Sequence, residues 1–146
     1  MTHREHFDAF GVLLFEAARA WRQQLDRRLR PLGLSQAKWR TIVNIDRAGD
    51  GITQKELAGR LGIEGPTLVR LLDRLAEDGW IERRECPDDR RSKRVFLLER
   101  AREAMRHIES VAAGLRQDLL GSLPDEQLKT CYQILTFIRN HAEELE

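Results

Sequence analysis

Apolar residues recur with a helical period at both ends of this chain and switch to a strand-like pattern once, between Trp80 and Leu97. Phe7, Phe10, Leu14, Ala18, Trp21, Leu25 and Leu29 are spaced by three and four, which predicts one long helix that Pro31 and Gly33 end. Ser35, a good N-cap, opens a second helix that buries Trp39, Ile42 and Val43 before Gly49-Asp50-Gly51 breaks the chain. Thr53 with Glu56 three residues on reads as a capping box for a short helix ending near Gly62. The next helix opens at Gly65-Pro66, where proline is tolerated because the amide it lacks has no helical partner. Its Leu68, Leu71, Leu72 and Leu75 form one buried stripe and leave Thr67, Arg70 and Arg74 on the other side. Trp80 to Arg84 and Lys93 to Leu97 then read as paired strands with Pro87-Asp88-Asp89 as turn formers. Two more long helices follow, marked by Ala101, Met105, Ile108, Val111, Ala112, Leu115 and Leu119 and by Leu128, Tyr132, Leu135 and Ile138, with Ser122-Leu123-Pro124 between them.

Two short helices followed by a hairpin make a winged helix-turn-helix. The expected fold is therefore mainly α with a small β-hairpin wing. Residues 34–98 form the DNA-binding domain, and residues 1–33 and 99–146 form a helical dimerisation region. The long amphipathic arms have little compact domain of their own to cover, which points to burial against a second copy, the two-fold dimer being the commonest soluble assembly. A monomer folding its arms over itself is the alternative.

Charge sharpens this reading. The net charge is only +1, so attraction to phosphate has to come from placement. Residues 16–47 carry eight basic groups against Glu16, Asp26 and Asp46, whereas residues 125–146 carry five acids against Lys129 and Arg139. DNA is thus expected to approach the middle of the chain. A guanidinium on the exposed face of the second short helix can bond guanine O6 and N7 together. The hairpin from Glu82 to Arg94 holds six Arg or Lys residues against four acids, from which Arg91 can reach a minor groove. Taken without the preceding helices, the same hairpin is an ordinary solvated charged face. The candidate DNA contacts are Pro66, Thr67, Arg70 and Arg74 of the helix and Arg90, Arg91 and Lys93 of the wing, with Asp89 orienting a neighbouring arginine. Arg74 has a second option, pairing with a wing acid such as Asp89.

Other chemistries find little support. His3, His6, His107 and His141 are scattered toward the arms, and His3 and His6 lack a metal-ligand set, so a frayed, solvated terminus is expected there. Gly59, Gly62 and Gly65 do not follow a strand and have no lysine-serine end, so they punctuate helices rather than cradle phosphate. No enzyme, metal or cofactor is expected. Cys86 and Cys131 make no framework and read as free thiols of a reducing compartment; an oxidisable Cys86 would need a lowered pKa that the sequence does not show. No apolar run spans a bilayer and the charged N-terminus lacks a hydrophobic leader, so a soluble cytoplasmic protein is expected. A winged-helix protein-docking module without DNA binding is the rival reading. It would favour an apolar anchor on the exposed helix face over Arg70 and Arg74.

The chain resembles the MarR family of bacterial transcription regulators, and within it the SlyA-type branch. The resemblance runs through Trp21-Arg22, Asp26, Arg28-Leu29, Pro31-Leu32, Leu34, Gln36, Trp39, Gly62-Ile63-Glu64, Pro66, Leu68-Val69-Arg70 and the wing Asp89-Arg90-Arg91-Ser92-Lys93-Arg94, whose Asp89 and Arg91 match the family's D-x-R pattern. It implies a triangular homodimer with interwound terminal helices, each recognition helix in a major groove and each wing arginine in a flanking minor groove of double-stranded DNA. It also implies a crevice for a phenolic or aromatic carboxylate effector. Trp21, Trp39 and Arg40 are the candidates to stack on such an acid and pair with its carboxylate, against the plainer reading of core tryptophans and solvated arginine. Two positions depart from the family. Leu98 stands where threonine usually caps the helix after the wing, and the first helices lack the reactive cysteine of the peroxide-sensing branch.

Overall fold

A computed structural model describes residues 1–145; residue 146 and the side chain of Arg90 lie outside the described residues. Six helices and a three-stranded antiparallel sheet follow one another as α1 (His3–Leu29), a short 3-10 turn (Arg30–Leu32), α2 (Gln36–Ala48), β1 (Ile52–Thr53), α3 (Gln54–Leu61), α4 (Gly65–Glu77), β2 (Ile81–Cys86), β3 (Asp89–Leu97), α5 (Glu99–Leu120) and α6 (Asp125–Glu144). The chain divides into two compact units, Met1–Ala112 and Ala113–Glu146.

Residues 1–112 hold the core, in which Leu29, Ile42, Ile45, Leu57, Leu68, Leu72, Ile81 and Val95 are sealed from solvent. Each comes from a different turn of a helical stripe or from the inward face of the sheet, as the period of the sequence requires. Thr41 is the one buried polar residue among those described, and its hydroxyl donates to the Ala37 carbonyl one turn back at 2.7 Å. Asp50, in the loop before β1, ties three segments together. One carboxylate oxygen accepts the Leu97 backbone N–H at 3.1 Å and the other accepts Arg102 of α5 at 2.8 Å.

Several elements differ from the sequence expectation, each for a local reason. Helix α1 begins at His3 rather than Phe7, because Thr2 and Glu5 form a complete capping box ahead of the apolar stripe. His3 and His6 accordingly lie on a capped helix rather than a frayed end, with His3 stacked on Phe7. The Thr53 cap forms only half of its box. Its hydroxyl accepts the Glu56 N–H and donates to the Glu56 carboxylate, both at 3.2 Å. Thr53 also belongs to a short third strand, β1, which pairs Ile52 with Val95 and Thr53 with Arg94. The hairpin is longer than expected: β2 runs on to Cys86 and β3 begins at Asp89, leaving a turn of Pro87 and Asp88. Glu85 faces Lys93 while Cys86 faces Asp89, so residues 90–92 bulge from the ladder. Helix α5 starts directly after Leu98, whose carbonyl accepts the N–H groups of Ala101 and Arg102, without a side-chain cap.

In residues 113–146, α6 leaves Leu128, Tyr132, Ile134, Leu135 and Phe137 exposed. The first half of α1 does the same with Phe7, Phe10, Val12, Leu13 and Phe15. No helix among the described residues is long and apolar enough to cross a membrane.

Two substitutions test which features hold this fold. Leu72→Ala removes a side chain with no exposed surface and should cost about 2–5 kcal/mol. Gly62→Ala leaves the core untouched but forces a side chain into the left-handed region at φ +66°, and should cost about 1–2 kcal/mol. Urea unfolding of the two variants beside the parent checks both values.

Candidate nucleic-acid interface

Helices α3 and α4 are joined by a sharp turn that needs Gly62 in the left-handed region, where its N–H returns to the carbonyls of Ala58 and Gly59. Helix α4 follows with Pro66 in its first turn and with Glu64 at the N-cap making no side-chain cap bond, so its first-turn amides are left for an outside acceptor. Leu68, Leu72 and Leu75 anchor one side of α4 in the core. Pro66, Thr67, Arg70 and Arg74 are exposed on the rest of its circumference.

The hairpin is held to this helix at its base. Arg83 of β2 donates to the Asp73 carboxylate of α4 at 2.6 Å. The Trp80 N–H returns to the Leu75 carbonyl, and Leu98 N–H to the Trp80 carbonyl. The cations of Lys38 and Arg100 lie 4.9 and 4.1 Å from the centre of the Trp80 ring, and Arg100 also donates to the Asp78 carbonyl that ends α4.

The wing cations divide into two groups. Arg83, Arg84 and Arg94 are committed internally: Arg83 to Asp73, Arg84 to Glu82 at 3.1 Å and to the Phe96 ring at 4.2 Å, Arg94 to the Gly51 carbonyl at 3.0 Å. The hydrogen bond and charge of Arg84 lower the Glu82 carboxyl below its ordinary pKa, and Glu82 raises that of Arg84 in return. Arg91 and Lys93 are exposed and make no ion pair among the described residues, and the same is true of Arg70 and Arg74 on α4. Asp89 does not reach Arg74. Its carboxylate accepts the Arg91 backbone N–H at 2.9 Å, and the helix-to-hairpin ion pair is made by Asp73 with Arg83.

A cleft of 500 Å³ separates the start of α3 and α4 from the wing, and Lys55, Val69, Arg91 and Lys93 are among the residues that line it. It brings together cations from two elements that are far apart in sequence. Lys55 and Val69 were not singled out from the sequence as contacts; Lys55 carried a signal, a cation in the first turn of a capped helix beside α4. The side chain of Arg90 lies outside the described residues.

The three candidate effector residues lie elsewhere. Trp39 is buried in the core with its indole N–H lacking an acceptor, and Trp21 and Arg40 are half-buried. Burial, and then the neighbouring charge of Arg22, lower the pKa of Arg40. Arg22 also lines a 680 Å³ cavity with Val12, Phe15, Glu16, Arg19, Gln23 and Gln36.

Residues 32–92, from the end of the 3-10 turn into the wing, match the sequence model of the MarR family. Over 93% of this chain and 99% of the other, the structure is similar to that of the transcriptional regulator PA3341, with 43% identity and a TM-score of 0.83. The chain belongs to the MarR family. Wild-type MarR from E. coli in its apo form is 27% identical over 88% of this chain and 94% of its own, with a TM-score of 0.76. A mutant of E. coli MarR complexed with operator DNA is 25% identical over 94% of this chain and 99% of its own, with a TM-score of 0.77. These MarR-family relatives are transcriptional regulators rather than enzymes.

The Asp73–Arg83 pair is a geometric tie more than a source of stability, because an ion pair with a half-exposed carboxylate contributes only about 0–1 kcal/mol. Asp73→Asn and Arg83→Gln should each lower stability by no more than about 1 kcal/mol, with a coupling energy that shrinks as salt rises. A double-mutant cycle in urea at two ionic strengths checks this.

Proposed function

We propose that this protein is a sequence-specific DNA-binding transcriptional regulator that acts as a homodimer on a palindromic operator. The observation that carries this reading is the set of exposed cations without an ion pair among the described residues, Arg70 and Arg74 on α4 with Arg91 and Lys93 on the wing, the last two lining a cleft with Lys55. In this reading α4 enters a major groove, where Arg70 and Arg74 read base edges and Pro66 and Thr67 approach the same floor. Arg91, its backbone held by Asp89, enters a flanking minor groove, and Arg90 and Lys93 are the other proposed wing contacts. The E. coli MarR structure complexed with operator DNA, which has the same fold, supports the assignment. The docking-module alternative gains nothing comparable: Val69 is the one large hydrophobic side chain exposed on α4.

Two-fold assembly follows from the arms, residues 1–33 and 99–146, around a winged helix-turn-helix of residues 34–98. The large exposed apolar side chains are concentrated there, with Phe15 80% and Tyr132 72% exposed. Such faces in water favour a second copy. In this reading the protein belongs to the SlyA-type branch of the family, which the motif residues named above support.

The effector in this reading is a small aromatic acid. Arg40 and Arg22 repel one another, and an anion between them removes that repulsion. Trp21 precedes Arg22 and Trp39 precedes Arg40 in sequence, Trp21 half-buried and Trp39 in the core, while Phe15 and Arg19 line the cavity that Arg22 also lines.

A mobility shift with DNA from upstream of the protein's own gene, across a salt series, tests the function. Retardation should fall steeply with salt; absence of retardation at low salt contradicts the reading. Arg70→Ala should cost about 1–3 kcal/mol on the cognate site and relax base preference, whereas Arg91→Ala should weaken cognate and non-cognate DNA more evenly. Variants that bind like the parent contradict the groove assignment.

Assembly and effector are tested in the same preparation. Sedimentation at micromolar concentration should give twice the chain mass. Titration with salicylate-like acids should quench tryptophan fluorescence and weaken operator binding over one concentration range. A tenfold loss of DNA affinity requires about 1.4 kcal/mol of preference for the DNA-incompetent state.

A further inference from the structure

The DNA-reading lobe exposes one large apolar side chain on the helix that carries its cations. Among the described residues between Leu32 and Leu119, Val69 is the sole large hydrophobic side chain that is exposed, at 38%. It lies in the N-terminal half of α4, the part of a recognition helix that meets base edges. A residue turns about 100° round an α-helix from the one before it. Val69 is therefore turned away from buried Leu68, and Arg70 is turned further, toward the outermost line of the helix. Asp73, on the same flank as Val69, is bonded to Arg83 of β2, and Val69 itself lines the cleft with Arg91, Ser92 and Lys93. The Val69 methyl groups thus look out beside Arg70, on the side toward the wing.

One base carries an apolar group on its major-groove edge: thymine, through its C5-methyl. An exposed branched side chain offers a hydrogen-bonding edge nothing, and leaves a donor or acceptor facing it unpaired. Against a thymine methyl it removes apolar surface from water on both partners. We infer that Val69 is a specificity-determining residue that reads the C5-methyl of a thymine adjacent, on the wing-ward side, to the base read by Arg70. The inference rests on the DNA-binding reading above and deepens it. Arg70 supplies a hydrogen-bonded contact that selects one base pair, and Val69 supplies a shape and methyl contact that selects its neighbour. Lys55, Arg91 and Lys93 around the same cleft meet backbone and minor groove.

The test is a methyl scan. An operator is first selected from random-sequence duplexes with the full-length protein. Each thymine of a half-site is then replaced in turn by deoxyuridine, which removes the methyl and keeps the base pair. The parent protein should lose about fourfold in affinity, the equivalent of one buried methyl group, at a single thymine per half-site on the wing-ward side. Val69→Ala should bind the thymine operator about as weakly as the parent binds that deoxyuridine operator, and should lose nothing further on the substitution. Alanine is the best helix former and the position is exposed, so the variant should keep the parent's helical circular dichroism. A parent that selects an operator yet tolerates every deoxyuridine overturns the inference, whatever the variant does. So does a variant that keeps the parent's methyl penalty. A parent that selects no sequence at all overturns the regulator reading instead.

Discussion

The burial of Leu68, Leu72 and Leu75 along one side of α4 is the constraint on which the DNA-facing surface depends. Those leucines are almost fully removed from water, each burial stabilising by about 1.5–3 kcal/mol, so α4 cannot rotate about its axis without exposing apolar surface. Holding that rotation fixed settles which residues face outward: Arg70 on the outermost line, Thr67 and Arg74 on one flank, Val69 and Asp73 on the other. The side chains proposed to meet a groove are thus positioned by residues that are buried in the core. The turn at Gly62 and the proline at the start of α4 set where that helix begins.

The wing is bound to this helix by interactions that are individually small. The Asp73–Arg83 bond, the packing of Trp80 beneath two cations and the Asp50 links to Leu97 and Arg102 all lie at the base of the hairpin. Beyond that base Arg91 and Lys93 make no ion pair among the described residues, and the backbone of residues 90–92 leaves the ladder. The base therefore fixes where the wing starts, and the bulge gives its tip a backbone that need not follow the sheet. Of the six basic residues in the hairpin, Arg83, Arg84 and Arg94 hold it together and Arg91 and Lys93 face outward. A net charge of only +2 over that stretch understates what DNA would meet.

Much of this was legible in the period of the apolar residues. Helices α2 and α4 to α6 lie where the three-and-four spacing put them, α3 where the Thr53 cap and Gly62 put it, and the hairpin where the helical spacing gave way. The departures come from signals that periodicity does not carry. Thr2 and Glu5 cap α1 with polar atoms before its first apolar residue. Strand β1 is two residues long, too short to alternate, and exists because Val95 and Arg94 offer it a free edge. The start of β3 at Asp89 lies among charged residues with no apolar alternation to mark it. Which wing cation is free is a matter of tertiary contacts, Arg94 with Gly51 and Arg83 with Asp73, that sequence spacing cannot give. Val69 was hidden for a related reason. Sorting a helix into stripe and face leaves a residue at the boundary unassigned, and only its exposure distinguishes it. Trp39 shows the opposite limit: an aromatic beside an arginine reads equally well as ligand platform and core, and its side chain lies in the core.

In the proposed reading, α4 and the wing of each copy act as one rigid reading head with two points of contact, duplicated by two-fold assembly. A hydroxyl-radical footprint of the parent protein on its operator tests that claim most directly, because it registers backbone protection on both strands at single-nucleotide steps. A two-headed dimer should give a two-fold symmetric pattern with half-site centres about one helical turn, roughly 10 base pairs, apart and with separate protected minor-groove segments outside each half-site. A single asymmetric protected segment, or symmetric half-sites without the outer segments, would contradict it.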